Sequence, residues 1–221
     1  PLVVTLIVVP SVPATFFIVG ENAQSSPGLV QRMVDEGHVV GNHTYTHPNL
    51  GETPARLVEL ELNATQRLFE ALTGRSMRLF RAPFFGDAEP TTADELIPIE
   101  QAQSMGYLSV GLQVDPNDWE RPGTAAIVSR VLEQVSDPDP EKRGQIVLLH
   151  DGGGDRSQTV AALPILIDDL RAKGYQLVSV AELAGLTRDQ AMSPLPPESF
   201  SRFADRSVFL MLGWAGHVLR G

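Results

Sequence analysis

Residues 14–47 read ATFFIVGENAQSSPGLVQRMVDEGHVVGNHTYTH, and this stretch decides the fold class. Its first six residues are β-rich and predict a strand. A helix is predicted at 26–36, because serine and proline stand at its start and glycine follows its end. A second strand is predicted at 38–40. A strand, a helix and a strand in succession are typical of a parallel sheet with crossover helices.

The same alternation continues toward residue 183. A long amphipathic helix is predicted to begin at Thr53-Pro54, to pass through Leu57, Leu60, Leu68 and Leu72, and to end at Gly74. Further strands are predicted at 79–80, 108–110, 145–149 and 175–178, and further helices at 124–135 and 157–173. We therefore expect an α/β fold, a distorted (β/α) barrel whose functional residues follow the strand ends.

The composition of the chain limits its partners and its chemistry. It has 221 residues, a length that suits one domain. Its 17 basic and 27 acidic residues give a net charge of −10, which repels polyphosphate backbones and argues against nucleic acid as the main partner. Because there is no cysteine, a metal ion would have to be bound by His, Asp or Glu.

The first residues do not fit the expected order of a barrel. Residues 1–9 are apolar but lack the basic start of a signal peptide, so we interpret them as a buried strand. Only four residues separate this run from the strand at 14–19, whereas parallel neighbours need a crossover of about a dozen residues. Either the first run is not a barrel strand or a crossover is missing.

The end of the chain differs in composition from the rest. Residues 193–199, SPLPPES, are interpreted as a linker, which predicts a main domain at 1–192 and a linker with an apolar tail at 193–221. Within the tail, residues 208–219 are mostly apolar but fall short of the roughly 20 residues that cross a bilayer. This stretch is a packed helix, an interfacial helix or part of a membrane span.

Two histidines follow the second predicted strand. His43 and His47 stand four residues apart, a spacing that lets two imidazoles face one point on a helical turn and bind one metal ion. The alternative is a pair of surface histidines in a polar loop. Their position at a strand end favours the metal site.

Polar residues also follow the later strands. Arg81 precedes Ala-Pro and can orient a carboxylate through paired hydrogen bonds, or it is an ordinary surface arginine. The stretch 115–119, DPNDW, offers carboxylates and an aromatic ring for a sugar subsite, or it is a polar turn. His150 ends the most strand-like run of the chain. With Asp151 beside it and an open glycine loop after it, His150 can act as a general acid, or it merely ends the strand.

Five motifs, taken in order, resemble those of a known family. They are PATFFIVG at 13–20, GNHTYTH at 41–47, FRAPFF at 80–85, DPNDW at 115–119 and VLLHD at 147–151. Together they resemble the polysaccharide deacetylase family, carbohydrate esterase family 4, with its NodB homology domain, over roughly residues 12–183. The resemblance implies a distorted barrel of NodB type that hydrolyses N-acetyl groups on amino sugars with a divalent metal, usually zinc.

The resemblance also implies a role for each residue that matches a family motif. By this resemblance His43 and His47 bind the metal, and His150 is the general acid with Asp115 beside it. Arg81 positions the base, and the backbone N–H of Phe84 helps to hold the oxyanion. Trp119 and Leu148 line the acetyl pocket. Phe84 stands where the family usually has tyrosine, a change that removes a hydroxyl but keeps the backbone donor.

One family motif is absent. The segment TFDDGP, which carries the base aspartate and the aspartate ligand of the metal, should stand between a first strand and PATFF. Here PLVVTL runs into IVVPSVPATFF without either aspartate. The gap falls where the connection length already indicated a missing crossover, so the barrel is expected to be incomplete at its first βα unit. Weak metal binding and low activity are the expected consequences.

Two other functions compete with a deacetylase of chitin-like or peptidoglycan-like polysaccharides. One is a non-catalytic carbohydrate-binding domain that keeps the groove without the chemistry, and the other is an amidohydrolase of small non-sugar amides. Retention of His150 and of the histidine pair favours the deacetylase. The tail resembles bacterial proteins in which such a domain is joined to a membrane glycosyltransferase, which implies an extracytoplasmic or membrane-associated location and a partner at the membrane.

Overall fold

The computed structural model describes residues 12–84, 92–139, 144–197, 203–209 and 211. The chain forms two compact units. Among the described residues, the first unit, which we call the sheet unit, comprises 14–84, 92–110, 179–197, 203–209 and 211, and the second, the helix-pair unit, comprises 12–13, 111–139 and 144–178. The predicted strand at 1–9, and the crossover inferred to be missing beside it, lie outside the described residues.

The described strands and helices alternate along much of the chain. The strands are β1 (Thr15–Ile18), β2 (Val39–Asn42), β3 (Arg75–Met77), β4 (Leu79–Phe80), β5 (Leu108–Ser109) and β6 (Met192–Pro194). The helices are α1 (Gly20–Ser25), α2 (Pro27–Asp35), α3 (Ala55–Thr73), α4 (Ala93–Ser104), α5 (Thr124–Val135), α6 (Ser157–Ala172), α7 (Val180–Leu183), α8 (Arg188–Ala191) and α9 (203–209).

A four-stranded parallel sheet forms the centre of the sheet unit. Its order is β1-β2-β4-β5, with α1 and α2 between β1 and β2 along the chain and α3 between β2 and β4. The prediction of an α/β fold with parallel strands and crossover helices is confirmed. Asn42 at the end of β2 pairs with Phe80 at the end of β4. The residues that follow these strands, His43 and Arg81, therefore emerge side by side at the carboxyl edge of the sheet.

Helix α3 has its predicted ends but buries a different stripe. It begins after Pro54 and ends at Gly74, whose φ of 67° caps the helix in the left-handed conformation. Leu62 and Phe69 are fully buried against the sheet unit's core, whereas Leu57 and Leu60 are 49% and 62% exposed. The expectation that Leu57 and Leu60 lie on the apolar face is wrong, because the 3.6-residue period places Val58, Leu62 and Phe69 on that face instead.

The helix-pair unit is built around α5 and α6, both predicted from the sequence. Their facing sides bury Ile127, Val131 and Leu166 in one apolar cluster. The strand predicted at 145–149 is reduced to a single parallel bridge between Val114 and Val147, and residues 175–178 do not form the predicted strand.

The predicted linker is partly wrong. Residues Met192–Pro194 form β6, which pairs antiparallel with β3, and the N–H of Leu195 donates to the carbonyl of Gly74. Helix α9 is tied to the rest of the sheet unit by an ion pair between Asp205 and Arg67 of α3. The proline-rich composition of 193–199 indicated a linker rather than a strand. A proline at the end of a strand, however, removes only its own N–H donor and leaves the other hydrogen bonds of the ladder intact.

Residues 210 and 212–219 of the predicted apolar tail lie outside the described part of the chain. Among the helices that the structure describes, none is long and apolar enough to cross a bilayer.

Candidate functional site

The two histidines of the GNHTYTH motif lie together in the loop after β2. The ring centroids of His43 and His47 are 4.9 Å apart, with the ring planes at 75°. The loop is not the helical turn that the spacing predicted, because Thr44 and His47 both adopt left-handed conformations, with φ of 68° and 62°. The rings meet through this irregular backbone rather than through helical periodicity.

The protonation of His43 follows from its partner. Its Nδ1 lies 2.8 Å from the carbonyl oxygen of Arg81, which can only accept a hydrogen bond, so Nδ1 carries the proton. The lone pair is then on Nε2. A histidine held in this way by a backbone carbonyl is typical of metal ligands, since the second nitrogen is oriented and made more basic. Arg81 is itself held, because its N–H donates to the carbonyl of Asn42 at 3.0 Å.

Buried polar side chains form hydrogen bonds that fix the loop containing His43 and His47, which we call the histidine loop. Asn42 has no solvent exposure, and its Oδ1 accepts from the N–H of Thr44 at 3.0 Å. Its Nδ2 donates to the carbonyl of Leu62 and to the hydroxyl oxygen of Tyr107. Burial raises the pKa of Tyr107 to about 12, so the hydroxyl stays protonated. The N–H of His47 donates in turn to Thr44 Oγ1 at 3.1 Å.

Phe84, predicted to supply an oxyanion donor, lies beside the histidine pair. Its ring centroid is 4.9 Å from that of His47, and the side chain is 69% exposed. Its φ of 65° is unusual for an aromatic residue and marks a sharp turn after β4. The role of its backbone N–H stays a prediction.

The donor set around the histidine pair fits a divalent metal in part. His43 and His47 supply two imidazoles whose ring centroids are 4.9 Å apart, and the tautomer of His43 places the lone pair of its ring on Nε2. In the described ranges, no group of three or more His, Cys, Asp or Glu side chains is arranged to hold a metal ion. Two nitrogen ligands are therefore what the described residues offer.

His150 of the helix-pair unit is held by a buried carboxylate, that of Asp118. The ring Nδ1 of His150 lies 2.8 Å from Asp118 Oδ1, and the backbone N–H of His150 donates to Oδ2 at 2.9 Å. The hydroxyl of Thr159 also donates to Oδ2, at 2.7 Å. Because the ionised carboxylate accepts at Nδ1, the Nε2 of His150 is left to exchange a proton with a substrate.

The carboxyl of Asp118 stays ionised despite its burial. Burial alone would raise the pKa of Asp118, but the hydrogen bonds from the His150 ring, the His150 backbone and Thr159 outweigh it and lower the pKa. The ionised carboxylate accepts at Nδ1 and so fixes the orientation of the His150 ring. This arrangement suits a general acid.

The expectation that Asp115 lies beside His150 is wrong. Asp115 Oδ1 accepts from the N–H of Asn117 at 2.8 Å, and its backbone groups bond the side chain of Gln134. Asp115 therefore shapes the turn, while Asp118, three residues later, is the carboxylate that contacts His150. Both aspartates belong to the DPNDW motif, and only the backbone course of the turn distinguishes them.

Trp119 and Leu148, predicted to wall a pocket, both lie in the helix-pair unit. Trp119 is 51% exposed, and its carbonyl accepts from Nη1 of Arg156 at 3.1 Å. The same guanidinium donates to the carbonyls of Gly152 and Gly153, at 2.7 and 3.0 Å. Arg156 thus ties the glycine loop after His150 to the backbone of Trp119. Leu148 is half-buried, and its part in a pocket stays a prediction.

Sequence reasoning missed Asp118 as the partner of His150, and it also missed Glu61, whose carboxylate contacts the histidine loop. The signal for Asp118 was its place in DPNDW. Glu61 carried no signal, since it lies on another element 14 residues after His47.

Known proteins match this chain in both sequence and fold. The sequence model of the family described as Polysaccharide deacetylase matches residues 4–107. A chitooligosaccharide deacetylase of Sinorhizobium fredii is 39% identical over 184 residues, which cover 77% of this chain and 79% of that protein. The chain belongs to the polysaccharide deacetylase family.

Solved structures of the polysaccharide deacetylase family share the fold. A peptidoglycan N-acetylglucosamine deacetylase superposes with a TM-score of 0.71 at 28% identity, covering 84% of this chain and 81% of that one. A carbohydrate esterase family 4 pseudoenzyme from Bacillus anthracis gives a TM-score of 0.68 at 28% identity, covering 82% and 58%. Enzymes of the polysaccharide deacetylase family are hydrolases that act on carbon–nitrogen bonds, and they generally depend on a metal.

Proposed function

We propose that this chain is built to hydrolyse N-acetyl groups on amino-sugar polymers of the chitooligosaccharide or peptidoglycan class. The observation that carries the proposal is the double contact between Asp118 and His150, at 2.8 and 2.9 Å. A carbohydrate-binding surface has no need of a buried, ionised carboxylate that orients a histidine. A general acid that protonates a departing amine depends on such a carboxylate to orient its ring. The names of the relatives support the sugar class.

The other residues take the following roles in the proposal. His43 and His47 hold a divalent metal, most simply zinc, through imidazole nitrogen. When bound, the metal would polarise the acetyl carbonyl and lower the pKa of a water molecule. Arg81 orients the base, the N–H of Phe84 donates to the oxyanion, and Trp119 with Leu148 walls the acetyl group.

We propose further that catalysis by this chain is impaired. Residues 1–20 contain no aspartate or glutamate, so this stretch, which includes the PATFF strand, does not carry the TFDDGP motif. A site with two imidazoles and no charged ligand attracts a dication weakly. Loss of the general base alone would cost about 10²- to 10⁴-fold in rate.

Acetate release from N-acetylglucosamine oligomers, with and without zinc, tests the proposal. Three proteins should be compared: the unaltered chain, a version with TFDDGP restored ahead of PATFF, and the restored version carrying His150→Ala. We expect the restored version to release acetate at least about 100-fold faster than either of the other two. Stoichiometric zinc and a full rate in the unaltered chain would refute the impairment.

A non-catalytic carbohydrate-binding function is the second candidate, favoured by the absent aspartates and by the likeness to a pseudoenzyme. It predicts that oligosaccharide binding is retained while the restored version still releases no acetate. Acetate released faster from small amides than from oligosaccharides would instead indicate an amidohydrolase.

The resemblance of the tail to glycosyltransferase-linked forms supports a location at the membrane or outside the cytoplasm, with a membrane glycosyltransferase as partner. Fractionation of bacteria that express the complete gene tests this part. Recovery of the protein in the cytosolic fraction alone would refute it.

A further inference from the structure

Glu61 of α3 contacts the histidine loop through both oxygens of its carboxylate. Oε2 accepts from the backbone N–H groups of Tyr45 and Thr46, both at 2.7 Å. Oε1 accepts from the hydroxyl of Thr46 at 2.8 Å. One side chain therefore satisfies three donors in the two consecutive residues at the middle of the segment between His43 and His47.

The loop needs hydrogen-bond partners from other elements because its backbone is bent away from regular structure. Thr44 and His47 are left-handed non-glycine residues, and such conformations cost about 1–3 kcal/mol each unless the surroundings hold them. On one side, the carbonyls of Thr44 and Tyr45 accept from the N–H groups at the start of α1. On the other side, the amides of Tyr45 and Thr46 turn toward Glu61.

We propose that Glu61 is a positioning residue that sets the separation and orientation of the His43 and His47 rings, and through them the affinity for a divalent cation. The inference deepens the proposed function and rests on its assignment of the two histidines as metal ligands. Without Glu61, two adjacent amides lose their acceptor, and the left-handed residues at 44 and 47 are free to relax. The 4.9 Å ring spacing would then no longer be held.

A negative charge near a cation could raise the affinity without any positioning. The variant Glu61→Gln separates these effects. Its amide oxygen can accept from the N–H groups of Tyr45 and Thr46, and its NH₂ group can donate to the hydroxyl of Thr46. Glutamine therefore keeps the three contacts and removes the charge, whereas Glu61→Ala removes both.

The experiment measures two quantities in the full chain. Hydrogen exchange of the Tyr45 and Thr46 amides is followed by NMR without metal, and zinc affinity is measured by calorimetry. Glu59→Ala is the matched control, because Glu59 is an exposed glutamate of the same helix. We expect Glu61→Ala to speed the exchange of both amides and to weaken zinc binding by about 10- to 100-fold, the usual effect of removing a group that orients a ligand. Glu61→Gln and Glu59→Ala should stay near the unaltered chain.

Three results would overturn the inference. Equal zinc affinity in Glu61→Ala and Glu59→Ala would show that the loop holds itself. An equal loss in Glu61→Gln and Glu61→Ala, with the amides of the glutamine variant still protected, would show that charge alone acts. Global unfolding of Glu61→Ala, with Glu61→Gln folded but its amides exchanging freely, would show a structural role only. If neither the unaltered chain nor the version with TFDDGP restored binds zinc, while Glu61→Ala speeds amide exchange, the metal assignment fails and the positioning of the loop is supported.

Discussion

Asp118 accepts hydrogen bonds from two different parts of His150, the ring Nδ1 and the backbone N–H, at 2.8 and 2.9 Å. The first contact selects the tautomer, and the second fixes where the residue stands relative to the carboxylate. Substitutions that disturb either contact are therefore expected to lower the rate of proton transfer more than the stability of the fold.

Asp118→Asn is expected to lower the rate of acetate release by at least about 100-fold, measured in the version with TFDDGP restored. An amide presents one acceptor and one donor, so it cannot accept from both the ring and the backbone N–H of His150. Long-range ¹H–¹⁵N NMR should show loss of the Nδ1–H tautomer. Asp115→Asn is the matched control and should change the rate by less than about 2-fold, because its contacts lie within the turn. A comparable loss in both variants would contradict the assignment.

Acid should destabilise the unaltered chain more than Asp118→Asn. A carboxyl whose pKa is lowered in the folded state contributes stability above its ordinary value, near 3.8 for Asp118, and that stability is lost as the pH falls through the lower folded value. Urea unfolding of both proteins at pH 6 and at pH 3 measures the difference. Parallel losses of unfolding free energy in the two proteins would mean that Asp118 has no part in the acid sensitivity.

Gly20→Ala is expected to destabilise the sheet unit and to disturb the histidine loop. A Cβ at position 20 would lie 2.2 Å from Cδ2 of Tyr45 and 2.7 Å from Oγ1 of Thr65. Overpacking of this kind typically costs about 1–3 kcal/mol. The midpoint of thermal unfolding reports the cost, and the NMR signals of the His43 and His47 rings report the disturbance. Gly28→Ala serves as the control, since a Cβ there meets nothing within 4 Å.

Arg156→Ala should weaken oligosaccharide binding through Trp119 without changing the contact between Asp118 and His150. The guanidinium joins three carbonyls, and a lysine cannot span them in the same planar fork. Losing a contact worth about 0.5–1.5 kcal/mol corresponds to a rise in Kd of about 2- to 10-fold. Titration followed by tryptophan fluorescence measures it. Unchanged Kd in both Arg156→Ala and Arg156→Lys would show that Trp119 needs no such support.

The four strands of the parallel sheet, β1, β2, β4 and β5, could be predicted because each is a short run of β-forming residues followed by a turn signal, whereas the order of the strands in the sheet was not predicted. The residues at the strand ends followed from the same pattern, since parallel strands bring their carboxyl ends to one edge. His43 and Arg81 are an example, and Asn42 pairs with Phe80 directly before them. Local sequence also determined the ends of α3, through Pro54 and Gly74.

Contacts that depend on the course of a turn could not be predicted. Asp115 and Asp118 are both aspartates of the DPNDW motif, and the course of the backbone between them, where Asn117 is left-handed, brings Asp118 rather than Asp115 into contact with His150. The four-residue spacing of His43 and His47 is compatible with a helical turn as well as with the irregular loop that the structure shows. Glu61 reaches that loop from a separate helix, a contact for which one sequence carries no local signal.

The pairing of β6 with β3 has a consequence for how the chain can be shortened. A fragment ended at residue 191 would leave the backbone N–H and C=O groups of Arg75–Met77 without the partners that β6 supplies. Unpaired strand edges recruit strands from other molecules. Such a fragment is expected to self-associate, and insolubility after trimming would then report an uncovered edge rather than a failure to fold.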